Sequence, residues 1–167
     1  FSTINFIRGT EQPVHSDYIH FGSIPEKFLA AAWTALEDIN LEQGPLQMVK
    51  KSHKFPIIDF SSLGLKIPKT SKDIKYNYEI YENFLRHLVS INGLEITNVP
   101  MKRGETLIWS AGMLHGGSKV FDETLTRYSQ VTHYHFSGCE YYNPNFSDRK
   151  NGHIAYRELI DYDISKN

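Results

Sequence analysis

Three side chains stand out for the chemistry their types and spacing allow. His15-Ser16-Asp17 sets an imidazole and a carboxylate two residues apart. On an extended strand, positions i and i+2 project from one face, so both groups can reach a single cation. The third is His115, which follows the apolar run Leu107-Ile108-Trp109 and precedes Gly116-Gly117-Ser118. Glycines beside a histidine leave room for a ligand to approach. Two imidazoles and one carboxylate on one face make the donor set that suits non-haem Fe(II), with positions left open for a cosubstrate and O2. Taken singly, each residue reads as an ordinary hydrogen-bonded side chain; together, and in this order, they predict a metal site.

The elements that must position these residues are mostly strands. Phe1–Arg8 reads as a strand, and His15–Phe21 carries Tyr, Ile and Phe among polar residues. Phe28–Glu37 is ambiguous by periodicity, because Ala30, Ala31 and Ala32 favour helix while Pro25 and Gly44-Pro45 bound the segment. Leu46–Lys50, Leu94–Val99, Thr106–Ala111 and Arg127–Phe136 are further strand candidates. One helix is expected over about Tyr78–Ile91, with Ile80, Phe84, Leu88 and Ile91 at helical spacing, and a last one near Ala155–Tyr162. Lys54–Lys72, rich in Pro, Ser, Gly and Lys, reads as an insertion or lid-like loop. Many short strands with one or two peripheral helices predict an all-β sandwich or jelly roll.

Composition narrows the function. The chain has 167 residues, without internal repeat or low-complexity linker, and is expected to form one domain over 1–167. A net charge of -1 argues against a general nucleic-acid binder, and the longest apolar runs fall far short of a membrane span. The expected partner is therefore a small-molecule substrate, with neither nucleic acid nor membrane. The single cysteine, Cys139, excludes an internal disulfide framework and a Cys-based zinc site. The chain opens at Phe1 with no signal-peptide pattern, and the expected setting is cytoplasmic.

The order of motifs resembles the phytanoyl-CoA dioxygenase family of Fe(II)- and 2-oxoglutarate-dependent oxygenases. It runs through Gln12-Pro13-Val14-His15-Ser16-Asp17, Ala32-Trp33-Thr34-Ala35-Leu36-Glu37-Asp38, Gly44-Pro45-Leu46, Ser52-His53-Lys54 and Gly104-Glu105-Thr106-Leu107, and it closes on His115-Gly116-Gly117-Ser118 and Arg127. The resemblance implies a double-stranded β-helix, and with it the strand reading of Phe28–Glu37. It implies His15, Asp17 and His115 as iron ligands, Arg127 as the anchor for the far carboxylate of 2-oxoglutarate, and Trp33 beside the cosubstrate. A guanidinium holds a carboxylate through paired, charge-assisted hydrogen bonds, which lysine cannot match. Ser129, two residues along the same strand, could offer a hydroxyl to that carboxylate. The reaction implied is oxidation of a substrate C–H bond, with Fe(II), 2-oxoglutarate and O2 giving succinate and CO2. Family halogenases carry a small residue at the carboxylate position, so Asp17 implies hydroxylation or a related oxidation.

Three departures bear on the pocket and lid rather than on the iron centre. Gln43 stands where many relatives have Asn, Lys50-Lys51 stand where they have Pro-Gly, and residues 1–167 are expected to lack the N-terminal helical region usual in the family. No CoA-phosphate cradle is recognisable. The competing reading is a jelly-roll metal module without redox turnover, such as a cupin-like sugar binder or isomerase; Arg127 speaks against it, because such a module has no use for a carboxylate clamp. A fragment without turnover is the third. His133 and His135 form a rival His-x-His pair. Six residues of strand separate Arg127 from His133, about 20 Å at 3.3 Å per residue, which predicts that the pair lies too far along to join the His15 centre. His20, His53, His87 and His153 have no partner at ligand spacing, and Cys139 is expected to be structural. Lys50, Lys51 and Lys54 read as a solvated face. The stretch holding Tyr134, Phe136, Tyr141 and Tyr142 either packs the C-terminal tail or lines a pocket mouth.

Overall fold

Strict alternation marks the central strand. In Leu29–Ala35, residues 29, 31, 33 and 35 are buried and the three between them are half-buried, as a sheet with one face on a core requires. The ambiguous alanine-rich segment is thus a strand, paired along both edges with Thr106–Ser110 and Ser129–His135. The structure, a computed structural model, describes residues 1–160. Among them are nine strands and one α-helix: β1 Ser2–Phe6, β2 Gly22–Ile24, β3 Leu29–Ala35, β4 Leu46–Val49, α1 Ser71–Ile91, β5 Ile96–Val99, β6 Thr106–Ser110, β7 His115–Gly117, β8 Ser129–His135 and β9 Glu140–Tyr142.

One sheet has the order β1-β8-β3-β6, and a second has the order β5-β4-β7. All their pairings are antiparallel. Between the sheets lies a core made by Ala31, Trp33, Trp109 and Val131 from the first and Leu46 and Met48 from the second. Two antiparallel sheets closed on one core form the expected double-stranded β-helix, or jelly roll. The second sheet is widened by a bridge between His15 and His115, which exchange backbone hydrogen bonds of 2.8 and 2.9 Å. That bridge brings two imidazoles 100 residues apart in sequence onto adjacent chains.

The helix starts seven residues before the expected Tyr78. Its first turn is closed by a capping box between Thr70 and Asp73, a signal present in the sequence but outvoted by the polar run that follows. The buried seam is Asn77, Tyr81, Leu85 and Val89, whereas Phe84 and Ile91 are exposed. The apolar residues outnumber the positions of one face, so the facing surface chose among them. That surface includes Phe60, with Phe55, Ile58, Leu63 and Leu65 packed around it. Lys54–Lys72 is therefore not a lid. Its apolar residues wedge against α1, away from the cavity described below.

Two further expectations change. Asp17 does not lie on a strand; it opens a 3-10 turn, Asp17–Ile19, capped by the Ser16 hydroxyl. The expected helix near Ala155–Tyr162 is not formed in its described part. Tyr156 instead bridges Tyr142, and the Arg157 amide donates to the Tyr141 carbonyl at 2.8 Å. The tail thus runs extended beside β9, and the last two residues of the expected helix lie outside the described residues. Tyr141 and Tyr142 are buried under it. No helix among the described residues is long and apolar enough to cross a membrane.

Candidate metal centre

His15, Asp17 and His115 converge. One ligand atom from each lies within 4.8 Å of the others, and all three residues are buried. Each histidine is aimed by its own backbone. The His15 Nδ1–H donates to the Pro13 carbonyl at 2.9 Å, and the His115 Nδ1–H donates to the Met113 carbonyl at 3.0 Å. In both, the tautomer leaves the Nε2 lone pair for a cation. Burial, followed by the neighbouring His115 imidazole, lowers the His15 pKa to about 3, so the ring stays an electron-pair donor. For Asp17, burial works upward, but the imidazoles of His115 and His133 outweigh it and hold the carboxyl below its usual range.

Asp17 is gripped from two sides. Its Oδ2 accepts the Trp109 indole N–H at 3.0 Å, while Oδ1 stands 3.6 Å from His115 Nε2 and 3.4 Å from His133 Nε2. His133 therefore belongs beside the centre, contrary to the 20 Å argument. Strand β8 runs along the cavity, with Arg127 entering below one end and His133 near the other, and the long arginine side chain spans part of the interval. His135, two residues on, faces an outer groove. Trp109 was legible only as strand core. Its indole N–H is what the alternation of β6 turns inward, and no sequence signal distinguishes that from packing.

Arg127 is 2% exposed. Its Nη1 donates to the Gly44 carbonyl at 2.7 Å, and its guanidinium sits 5.8 Å from the ring centroids of both Phe6 and Trp33. Its Nε is buried without a partner, and among the described residues no carboxylate pairs with it. Gly44 makes this possible. It has φ +68, and a Cβ there would meet the Ser118 carbonyl at 2.8 Å. Gln43, the departure from the family pattern, is a brace. Its Nε2 donates to the Thr126 carbonyl at 2.7 Å and its Oε1 accepts from the Asn40 amide at 2.9 Å, which ties the turn to the residue before Arg127.

One cavity of about 340 Å³ joins these groups, lined by His15, Asp17, His115, Arg127, Trp33 and His133 among others. Ser129 does not line it. Its side chain faces inward, but the hydroxyl donates to the Arg127 carbonyl at 3.3 Å, so it is not placed to meet a carboxylate. His20 and Arg157, to which the sequence reading gave no role, do line it.

Residues 2–120 match the sequence profile of the phytanoyl-CoA dioxygenase (PhyH) family. The chain belongs to that family. It is 24% identical over 152 residues to the peroxisomal phytanoyl-CoA dioxygenase of Rattus norvegicus, covering 91% of this chain and 40% of that protein. Similar solved structures include the carbocyclase SnoK from nogalamycin biosynthesis (TM-score 0.64, 14% identity, 98% of this chain and 60% of that one). The epimerase SnoN from the same pathway has TM-score 0.59 and 17% identity, over 84% of this chain and 50% of that one. EctD from S. alaskensis with bound Fe has TM-score 0.54 and 18% identity, over 80% of this chain and 42% of that one. At these identities the likeness concerns the fold, and the chain spans 40% to 60% of the length of these proteins.

Iron, 2-oxoglutarate and O2 are the cofactor set of the phytanoyl-CoA dioxygenase family, and the groups here fit the first two. Two imidazoles with free Nε2 atoms and an ionised carboxylate suit the metal. A buried guanidinium with an orphaned Nε–H suits a carboxylate. The Trp109 contact adds a test: Trp109→Phe keeps the aromatic packing but removes the hydrogen bond that orients Asp17. Metal affinity, read by competition with a chromogenic chelator, is expected to fall about tenfold or more. An unchanged affinity would show that the indole serves packing alone.

Proposed function

We propose that this chain is the catalytic domain of an Fe(II)- and 2-oxoglutarate-dependent oxygenase that hydroxylates a C–H bond of a small molecule. The observation that carries this reading is the convergence of His15, Asp17 and His115 in one cavity with a buried guanidinium that has no counter-ion among the described residues. When bound, the metal and cosubstrate supply the oxidation itself, with O2 consumed and 2-oxoglutarate split to succinate and CO2.

The side chains divide the remaining work. His15, Asp17 and His115 would hold the cation on one face and leave the opposite side to ligands. Arg127, fixed by the Gly44 carbonyl and the Phe6 and Trp33 rings, would take the far carboxylate of the cosubstrate and set its direction. Trp33, Leu46 and Val131 keep water from the space between. Trp109 and His133 hold the Asp17 carboxylate in place. Because Asp17 would supply a carboxylate ligand where family halogenases carry a small residue, hydroxylation is favoured over transfer of a halide. Hydroxylation is the finer part of the proposal, since an epimerase and a carbocyclase share the fold.

The test is spectroscopic first. Anaerobic Fe(II) and 2-oxoglutarate together are expected to give a weak visible charge-transfer band, and air should then yield succinate. A protein that binds Fe(II) yet shows no change of absorption with 2-oxoglutarate would instead be a non-redox jelly-roll module.

A further inference from the structure

Two guanidiniums line the cavity, and the cosubstrate accounts for one. The second, Arg157, arrives from the extended tail. Its guanidinium carbon lies 4.7 Å from the centroid of the Phe21 ring, and its Nη2 donates to the His20 carbonyl at 2.9 Å. Its Nε is buried and, like that of Arg127, has no hydrogen-bond partner. No carboxylate pairs with Arg157 among the described residues. Phe21 in turn packs on His133 and His135 with centroid separations of 5.1 and 5.8 Å. Arg157 therefore stands at the end of β8 opposite to Arg127, where the metal cavity meets an outer groove that it also lines.

Charge balance makes the position informative. Among the described residues, Asp17 is the one acidic residue in the lining of the metal cavity. A divalent cation and Arg127 would be neutralised by Asp17 and a dianionic cosubstrate, leaving Arg157 without a counter-charge in that cavity; Glu158, which shares the outer groove, makes no ion pair with it. A half-buried cation with an orphaned donor is costly unless a ligand satisfies it. We propose that Arg157 is the anchor for a carboxylate on the primary substrate, so that the substrate class is a small carboxylic acid. This inference rests on the oxygenase reading. Phe21 lies against the guanidinium, Nη2 is given to the His20 carbonyl and Nε is buried, so the Nη1 end of the fork is what is left to meet a planar acceptor. A phosphate dianion would call for a second cation, and among the described residues neither of the two spaces holds another lysine or arginine at that end.

The test uses protein loaded with Zn(II), which supports no turnover, and saturated with 2-oxoglutarate. Butyrate, hexanoate and benzoate are titrated beside their primary amides, with ligand-observed NMR or calorimetry as the readout. The acids are expected to bind at least about tenfold more tightly than the amides, the scale of one charge-assisted contact. Arg157→Gln should erase that preference, and Arg157→Lys should retain only part of it, because a point charge lacks the fork. The site is overturned if the parent shows no preference for acid over amide, if Arg157→Gln keeps it, or if inorganic phosphate binds more tightly than the acids. Should Arg157→Gln fail to fold, an Arg157→Lys variant equal to the parent overturns the forked contact. Failure of the Zn(II) protein to take up 2-oxoglutarate would strike the oxygenase reading itself and this inference with it; normal uptake without an acid preference strikes this inference alone.

Discussion

Arg127→Leu is expected to weaken 2-oxoglutarate binding by about a hundredfold while leaving metal affinity near that of the parent. The size follows from removing one partner of a buried, charge-assisted pair, which costs about 2–5 kcal/mol. The selectivity follows from geometry. Arg127 touches the Gly44 carbonyl and the Phe6 and Trp33 rings but none of the three metal ligands. Anaerobic titration of the Fe(II) protein with 2-oxoglutarate measures the first effect, and chelator competition measures the second. Arg127→Lys should fall between, since lysine keeps the charge and loses the fork. A Leu variant that binds 2-oxoglutarate like the parent would remove Arg127 from the cosubstrate site.

Asp17→Ala should lose at least about a hundredfold in affinity for Fe(II) or Zn(II), because partners that merely orient a ligand are already worth 10–100-fold. The substitution also takes away the one anion that the described residues contribute to the cavity lining. His15 and His115 would remain, but two neutral imidazoles give neither a third donor nor charge compensation. Asp17→Asn separates the two contributions, since it keeps an oxygen at the same place without the charge. Both variants leave the Trp109 N–H to be judged by thermal melting: Asn can still accept it, whereas Ala strands it. A metal affinity unchanged in Asp17→Ala would dismantle the triad, and with it the proposed function.

The readings that the structure revised share one cause. His133 was set aside by counting residues along a strand from Arg127, a distance along the backbone that ignores how far a long side chain reaches back. The spacing of Ile80, Phe84, Leu88 and Ile91 predicts a seam of which Phe84 and Ile91 are exposed, because α1 carries more apolar residues than one face can bury and only the opposing Phe60 cluster selects among them. Lys54–Lys72 looked like a lid from its Pro, Ser and Gly content, yet five large apolar residues within it were enough to anchor it to α1. Arg157 and Trp109 carried no signal at all. A lone arginine near a chain end and a tryptophan in a strand have ordinary structural explanations until their neighbours are known.

What the sequence determined by itself was the set of chemical capacities and their order along the chain: the His-x-Asp pair, the histidine before two glycines, the arginine after them, and strands short enough to demand two facing sheets. Those depend on local rules of alternation, turn chemistry and side-chain type, which act over a few residues. The tertiary structure decided which capacities meet. The backbone pairing of His15 with His115, the Trp109 and His133 contacts to Asp17, and the placing of Arg127 and Arg157 at opposite ends of β8 all join residues far apart in sequence. Such contacts exist only once the sheets have closed on their core, because burial and strand register, rather than any local preference, bring those atoms together.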